Sequence, residues 1–261
     1  MTPRLLLLGG LDPCGGAGIT ADSAVAILHA VQPLPIAVAL TVQNRRGFRE
    51  CNEVPERQWR RALASALDDG EIHAVKVGLL GGAAAVAAVA AALLPLRGRV
   101  PIVVDPVLAA TAGGYEAPIA VAQAYRERLL PLATLLLPNV AEAAAVLGGD
   151  PAVAFAAGCG AVLLKGGHGD GEFADDVLRL AAGGTHRFRR ARLPVGPVHG
   201  TGCALASAIA CGLALGLDLP AACGRAGDWL HTLLAALAET PGDGLPRPLP
   251  FWRAVTGTSN R

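Results

Sequence analysis

Leu5-Leu6-Leu7-Leu8-Gly9-Gly10-Leu11-Asp12-Pro13-Cys14-Gly15-Gly16-Ala17-Gly18-Ile19-Thr20-Ala21-Asp22 reads as a buried strand, a glycine-rich turn and the start of a helix. Four leucines in a row do not alternate with polar residues, so the strand is expected to be covered on both faces, as in a parallel sheet. The five glycines within residues 9–18 let the backbone come close to a ligand and present its amides at a helix start. A tight turn would account for the same glycines taken alone. The register is not G-x-G-x-x-G, and no acidic residue ends a second strand, which excludes a dinucleotide fingerprint.

The same strand-then-helix unit recurs outward from this stretch. Strands are predicted at Leu5–Leu8, Pro35–Thr41, Ala74–Val77, Ile102–Asp105, Thr134–Leu137 and Ala161–Lys165. Helices are predicted near 17–29, 57–68, 82–94, 118–130, 140–147 and 151–158. This α/β alternation predicts a doubly wound, mostly parallel sheet flanked by helices on both faces. Glu172–Leu180 and His186–Leu193 read as a polar hairpin, giving a small antiparallel edge. Two helices, 201–216 and 219–239, follow, and 241–261 is expected to be a peripheral tail. With no repeat and no composition step, residues 1–261 are expected to form one domain near the upper size for a single core.

Composition narrows the function classes. Hydrophobic residues are 52% and charged residues 16% of the 261, which argues against disorder. A net charge of +1 without a basic stripe leaves no footprint for nucleic acid. The six cysteines form no C-x-x-C pair and the six histidines no i, i+4 pair, so a zinc site is not expected. Scattered free thiols fit a reducing, cytoplasmic compartment, and the leucines after Met1 are too few for a secretory signal. Val77–Leu96 and Gly200–Leu217 are uncharged, but they are rich in alanine and glycine and lack aromatic anchors. They read as buried elements of a soluble protein.

In an open parallel sheet, ligands bind at the carboxyl ends of the strands. Gln43, after the second strand, offers a donor and an acceptor on one amide, the pairing needed to read a pyrimidine edge, though a loop glutamine alone means little. Asp22 lies one turn into the first helix and could face a ligand or solvent. Asp105 at the tip of the fourth strand is expensive unless paired or facing a cation. Asn139 and Glu142 have capping-box spacing, and with Asp105 they could also converge on a magnesium–phosphate group. Lys165, followed by two glycines, suits a point charge aimed at phosphate. Gly200-Thr201-Gly202-Cys203 opens a helix whose first amides form an anion cradle, and no Walker loop occurs in the chain. Cys203 in that first turn is expected to have a lowered pKa and to accept a hydroxyl proton. Arg45–Cys51 and Ala109–Glu116 are the glycine-containing lid candidates.

Taken in order, LGGLDPCGGAGITAD, TVQN, KVGLLG, VVDPVL, LLPNVAEA, LLKGGH and HGTGCALASAIA resemble the ribokinase superfamily of non-P-loop kinases. More narrowly, they resemble its hydroxymethylpyrimidine and phosphomethylpyrimidine kinases of thiamine biosynthesis, from about residue 5 to 240. The resemblance implies a ribokinase-like fold and ATP-dependent phosphorylation of the hydroxymethyl group of a pyrimidine or of its monophosphate, in a homodimer. By it, Asp22 and Gln43 hold the aminopyrimidine while Gly10 and Leu79 line its pocket. Asp105, Asn139 and Glu142 organise Mg2+, and Lys165 touches the nucleotide phosphates. Gly200, Thr201 and Gly202 form an anion hole for the phosphoryl group, and Cys203 is the base. The chain departs from the family at Pro197-Val198, where a polar Asn-Thr pair is usual, so that threonine's hydrogen bond is missing. Pyridoxal phosphorylation on the same fold is the alternative. A non-catalytic pyrimidine sensor, supported by Pro197-Val198 alone, is a further one.

Overall fold

The apolar runs form the middle of a nine-stranded sheet in the computed structural model, which describes residues 2–110, 113–167 and 171–251. Its strands are β1 (Arg4–Leu11), β2 (Gln32–Asn44), β3 (Gly47–Glu53), β4 (Ala74–Val77), β5 (Ile102–Val104), β6 (Leu135–Leu136), β7 (Ala161–Leu164), β8 (Phe173–Leu180) and β9 (Thr185–Ala191). Their order is β3-β2-β1-β4-β5-β6-β7-β8-β9. From β2 to β7 the neighbours run parallel, while β3 at one edge and the β8–β9 hairpin at the other run antiparallel.

Leu5–Leu8 are fully buried because β1 is an inner strand with helices over both faces. Leu6 and Leu8 pack towards α2 (Glu56–Asp68), α3 (Ala83–Leu93), α4 (Ile119–Ala124), α5 (Val140–Leu147) and α6 (Pro151–Ala156). Leu5 and Leu7 pack towards α1 (Gly18–Leu28), α7 (Thr201–Ala214) and α8 (Leu219–Ala238). Removing apolar surface from water on two faces of one strand is what an unbroken leucine run provides.

Three expectations need amending. The segment 45–51 is not a free loop, since from Gly47 it pairs with β2 as β3. The lettering GFRECNE hides this, because an edge strand is held by its backbone and here only Phe48 is buried. The helix predicted over 118–130 stops at Ala124 and continues as a wider π turn, Tyr125–Leu129, and a tight turn, Leu130–Leu132, with Pro131 denying the α-helical hydrogen bond. A second, two-stranded parallel sheet pairs β10 (Val198–His199) with β11 (Arg247–Pro248). Part of the expected tail therefore lies beside the G-T-G-C turn, while 252–261 fall outside the described residues. Among the described residues no helix is long and apolar enough to cross a membrane.

Candidate active site

A cavity of about 630 Å³ opens at the carboxyl ends of the parallel strands. One end is mostly neutral. There Gly10 ends β1 against Leu79, and a Cβ on Gly10 would stand 2.8 Å from Leu79 Cδ2. The absence of a side chain is what lets the two walls meet. Gln43 Nε2 donates to Thr41 Oγ1 at 2.9 Å, and that hydroxyl donates to Leu11 O at 2.9 Å. The chain of bonds holds the Gln43 amide in the wall of the cavity.

The other end is charged. Lys165 Nζ lies 2.8 Å from Asp105 Oδ1 and 3.5 Å from Glu142 Oε2. Asn139 and Glu142 do form a capping box on α5, with Glu142 N donating to Asn139 Oδ1 and Asn139 N to Glu142 Oε2, each at 2.8 Å. The capping role and the site role thus coexist in Glu142. Burial pushes its carboxyl up, Lys165 pulls it down, and Asp105 adds to the rise. Burial works against the Lys165 charge, but Asp105 and Glu142 outweigh it and hold the ammonium above its usual range. Asp105 Oδ2 is buried and, among the described residues, has no hydrogen-bond partner. An unmatched carboxylate oxygen beside a second carboxylate is a hard-oxygen donor set, which fits a divalent cation such as Mg2+.

The G-T-G-C turn closes over this charged end. Gly200, at φ +83°, caps α7 in the left-handed region, and a Cβ there would run into the carbonyl oxygen of Gly16. A Cβ on Gly202 would stand 3.3 Å from Lys165 Nζ and 3.7 Å from Asp105 Oδ2, so the first turn of α7 rests on the Lys165–Asp105 pair. Cys203 follows, and both Lys76 and Lys165 feel its sulfur. Its titration is the reverse of what the helix start predicts. Burial pushes the thiol up to about 12, Lys76 pulls the other way, and Asp105 and Asp22 add to the rise. Desolvation among acidic neighbours outweighs the helix dipole.

The expected site residues do not all reach the cavity. Gly10, Gln43, Leu79, Asp105, Asn139, Glu142, Lys165 and Gly200–Cys203 line it together. Asp22 does not, because it is fully buried, with Oδ2 2.7 Å from Lys76 Nζ and Oδ1 accepting from Ser207 Oγ at 2.8 Å. Burial raises the Asp22 carboxyl against the pull of Lys76 and Ser207. Burial likewise opposes the Lys76 charge, yet Asp22, Cys203 and Asp105 hold it above its usual range. We read the two as an ion pair.

Sequence reasoning passed over Lys76, Asp12 and His199. A signal for Lys76 existed, since a lysine in the middle of a four-residue buried strand requires a carboxylate partner. Asp12 is held by His199 Nε2, 2.9 Å from its Oδ2, across a separation of 187 residues. Nothing local marks that contact. Pro197 and Val198 also line the cavity, and their backbone receives β11 through Arg247 N donating to Pro197 O at 2.9 Å. Of the lid candidates, residues 111 and 112 fall outside the described residues. The remainder of Ala109–Glu116 bridges to itself and to β3, with Phe48 N donating to Gly113 O at 3.1 Å.

The profile of the Phosphomethylpyrimidine kinase family matches residues 12–245. A hydroxymethylpyrimidine/phosphomethylpyrimidine kinase of Rhizobium meliloti is 38% identical over 255 residues, covering 90% of this chain and 92% of its own. The solved phosphomethylpyrimidine kinase of Clostridium difficile superposes with a TM-score of 0.75 at 26% identity, over 90% of this chain and 100% of its own. The pyridoxal kinase of Staphylococcus aureus, solved with AMP-PCP and pyridoxal, superposes with a TM-score of 0.85 at 20% identity, over 99% and 96% of the two chains. At that identity the last comparison bears on the fold alone.

Proposed function

This chain belongs to the phosphomethylpyrimidine kinase family, and from that premise we propose how its cavity carries the reaction. The activity is that of a phosphotransferase, a hydroxymethylpyrimidine/phosphomethylpyrimidine kinase of thiamine biosynthesis, and we propose ATP as its phosphoryl donor. The observation that carries the site assignment is the resting of the G-T-G-C turn on Lys165 and Asp105, within the same cavity as Gln43, Gly10 and Leu79.

The neutral end takes the pyrimidine. Gln43 addresses a ring nitrogen and its amino substituent, with Gly10 and Leu79 against the ring faces. Asp22 acts from beneath, through Lys76 and Ser207, and sets the floor on which Cys203 stands. Lys165 meets the nucleotide phosphates as a point charge, and Asn139 stands beside it. Mg2+ would be held by Asp105 and Glu142, and when bound it neutralises charge on the phosphates. Amides of Gly200, Thr201 and Gly202 receive the transferred group, a task of positioning and electrostatics rather than of covalent chemistry. Cys203 takes the hydroxyl proton. With its thiol at about 12, the thiolate is a minor species at neutral pH, so turnover through it climbs with pH.

Incubation with hydroxymethylpyrimidine and Mg-ATP, following ADP and the phosphorylated product, tests the assignment. Turnover no faster than background overturns it. Offering the monophosphate shows whether the second phosphorylation is also performed, and competition with pyridoxal tests the alternative acceptor. We also propose one kinase domain over residues 1–261, a cytoplasmic location and homodimeric assembly, the last to be checked by sedimentation equilibrium.

A further inference from the structure

We propose that Asp12 and His199 are a positioning pair that clasps the first glycine loop to the phosphoryl-receiving turn and so sets the distance between substrate and anion hole. Asp12 is 1% and His199 4% exposed, and they meet at 2.9 Å. Asp12 is the hub of its own loop. Its carboxylate accepts from Cys14 N at 3.0 Å, Ala17 N at 2.9 Å and Cys14 Sγ at 3.0 Å, and its carbonyl accepts from Thr20 Oγ1 at 3.1 Å. His199 immediately precedes Gly200, the first residue of the cradle. The loop carrying Asp12 follows Gly10, which lines the neutral end. One hydrogen bond therefore links the two ends of the cavity.

The cost of the arrangement argues against a purely structural role. Among the described residues His199 Nδ1 is buried without a partner. An apolar side chain of similar size would fill the space without leaving a polar atom unsatisfied. What an apolar residue could not do is hold the turn in register with Asp12. Burial alone would raise the Asp12 carboxyl, but hydrogen bonds from His199 and Cys14 bring it below its ordinary value, so it accepts and Nε2 donates. Gly16 and Gly200 complete the interlock, since a Cβ on either would meet the opposing segment.

Asp12, Cys14 and His199 also bring three ligand-type atoms together within 4.8 Å. Both carboxylate oxygens are already shared among protein donors, and burial together with Asp12 pushes the Cys14 thiol up to about 11. A thiolate is disfavoured there, and the trio serves as a hydrogen-bonded clasp.

The inference rests on reading residues 200–203 as the phosphoryl cradle, and two readouts separate its failure from a failure of that reading. In turnover, His199→Ala and Asp12→Ala are each expected to lower kcat about 10–100-fold, with KM for the pyrimidine moving less than about threefold. The double variant should be no slower than the slower single, because both remove the same bond. His199→Gln, whose amide nitrogen can reach Asp12, should restore most of the rate. Hydrogen exchange needs no substrate. In Asp12→Ala the amides of 200–204 should exchange about tenfold faster or more while those of β4 and β5 keep their protection. Multiplicative rate losses, unchanged exchange at 200–204, or exchange accelerated uniformly across the sheet would overturn the pairing.

Discussion

Lys76 and Lys165 each carry a buried aspartate and each act on Cys203, yet their surroundings differ. Lys76 is 2.7 Å from Asp22 with both side chains sealed, and the second oxygen of Asp22 is taken by Ser207. Lys165 is 2.8 Å from Asp105 with 11% of its side chain exposed, Glu142 is a second carboxylate partner, and among the described residues one Asp105 oxygen has no match. In the first cluster each carboxylate oxygen is matched, whereas the second leaves a buried acceptor open. A fully satisfied buried network rigidifies, whereas a partly satisfied one is tolerated only where something else completes it. The same residue types thus make a strut in one place and a receptor in the other.

Removing each charge tests that contrast, beginning with the largest effect. Lys76→Ala strands Asp22 as a lone buried charge, and urea unfolding should show a loss of about 3–5 kcal/mol. A loss under about 1 kcal/mol would erase the distinction. Lys165→Ala should lower kcat/KM about 10²–10³-fold, while unfolding free energy falls less than in the Lys76 variant, since truncating a side chain that lines the cavity opens a path for water to the two carboxylates. If stability fell as far as in the Lys76 variant, Lys165 would be a strut too. The sulfur between these clusters gives the next effect. If the thiol at about 12 supplies the base, kcat/KM climbs by nearly tenfold per pH unit from about 7 to 9, and Cys203→Ala flattens the profile. A plateau in the native protein over that range would remove Cys203 from proton transfer. The smallest effect belongs to an exposed pair, Arg45–Asp243 at 2.5 Å. Arg45→Ala should shift unfolding by less than about 1 kcal/mol, and added salt should shrink the difference further.

How far the letters alone could lead depends on how local each determinant is. The inner strands were readable because a sheet covered on both faces demands continuous apolar runs, as at Leu5–Leu8 and Ile102–Val104. The cradle at Gly200–Cys203 and the Asn139–Glu142 cap were readable because their logic spans only a few residues. Strand β3 was not, since its pairing with β2 uses backbone groups that every residue carries. Nor were β10 and β11, which are two residues each and separated by the length of two helices. The residues around Asp22 leave it open between ligand and solvent, because its partner, Lys76, lies 54 residues away. The titration of Cys203 departs from the local expectation for a related reason, because the dipole of its own helix is a local feature while the desolvation that prevails comes from the whole neighbourhood.

The placement of β1 has a consequence for synthesis. The first strand made is an inner one, paired by β2 on one side and by β4 on the other. After residue 44 emerges, about thirty more residues must be polymerised before Ala74–Val77 can occupy the vacant flank. At ribosomal speed that is on the order of 2–6 s. Throughout that interval an uninterrupted row of leucines has an open hydrogen-bonding edge, so nascent chains stalled between these two points are where self-association should be sought.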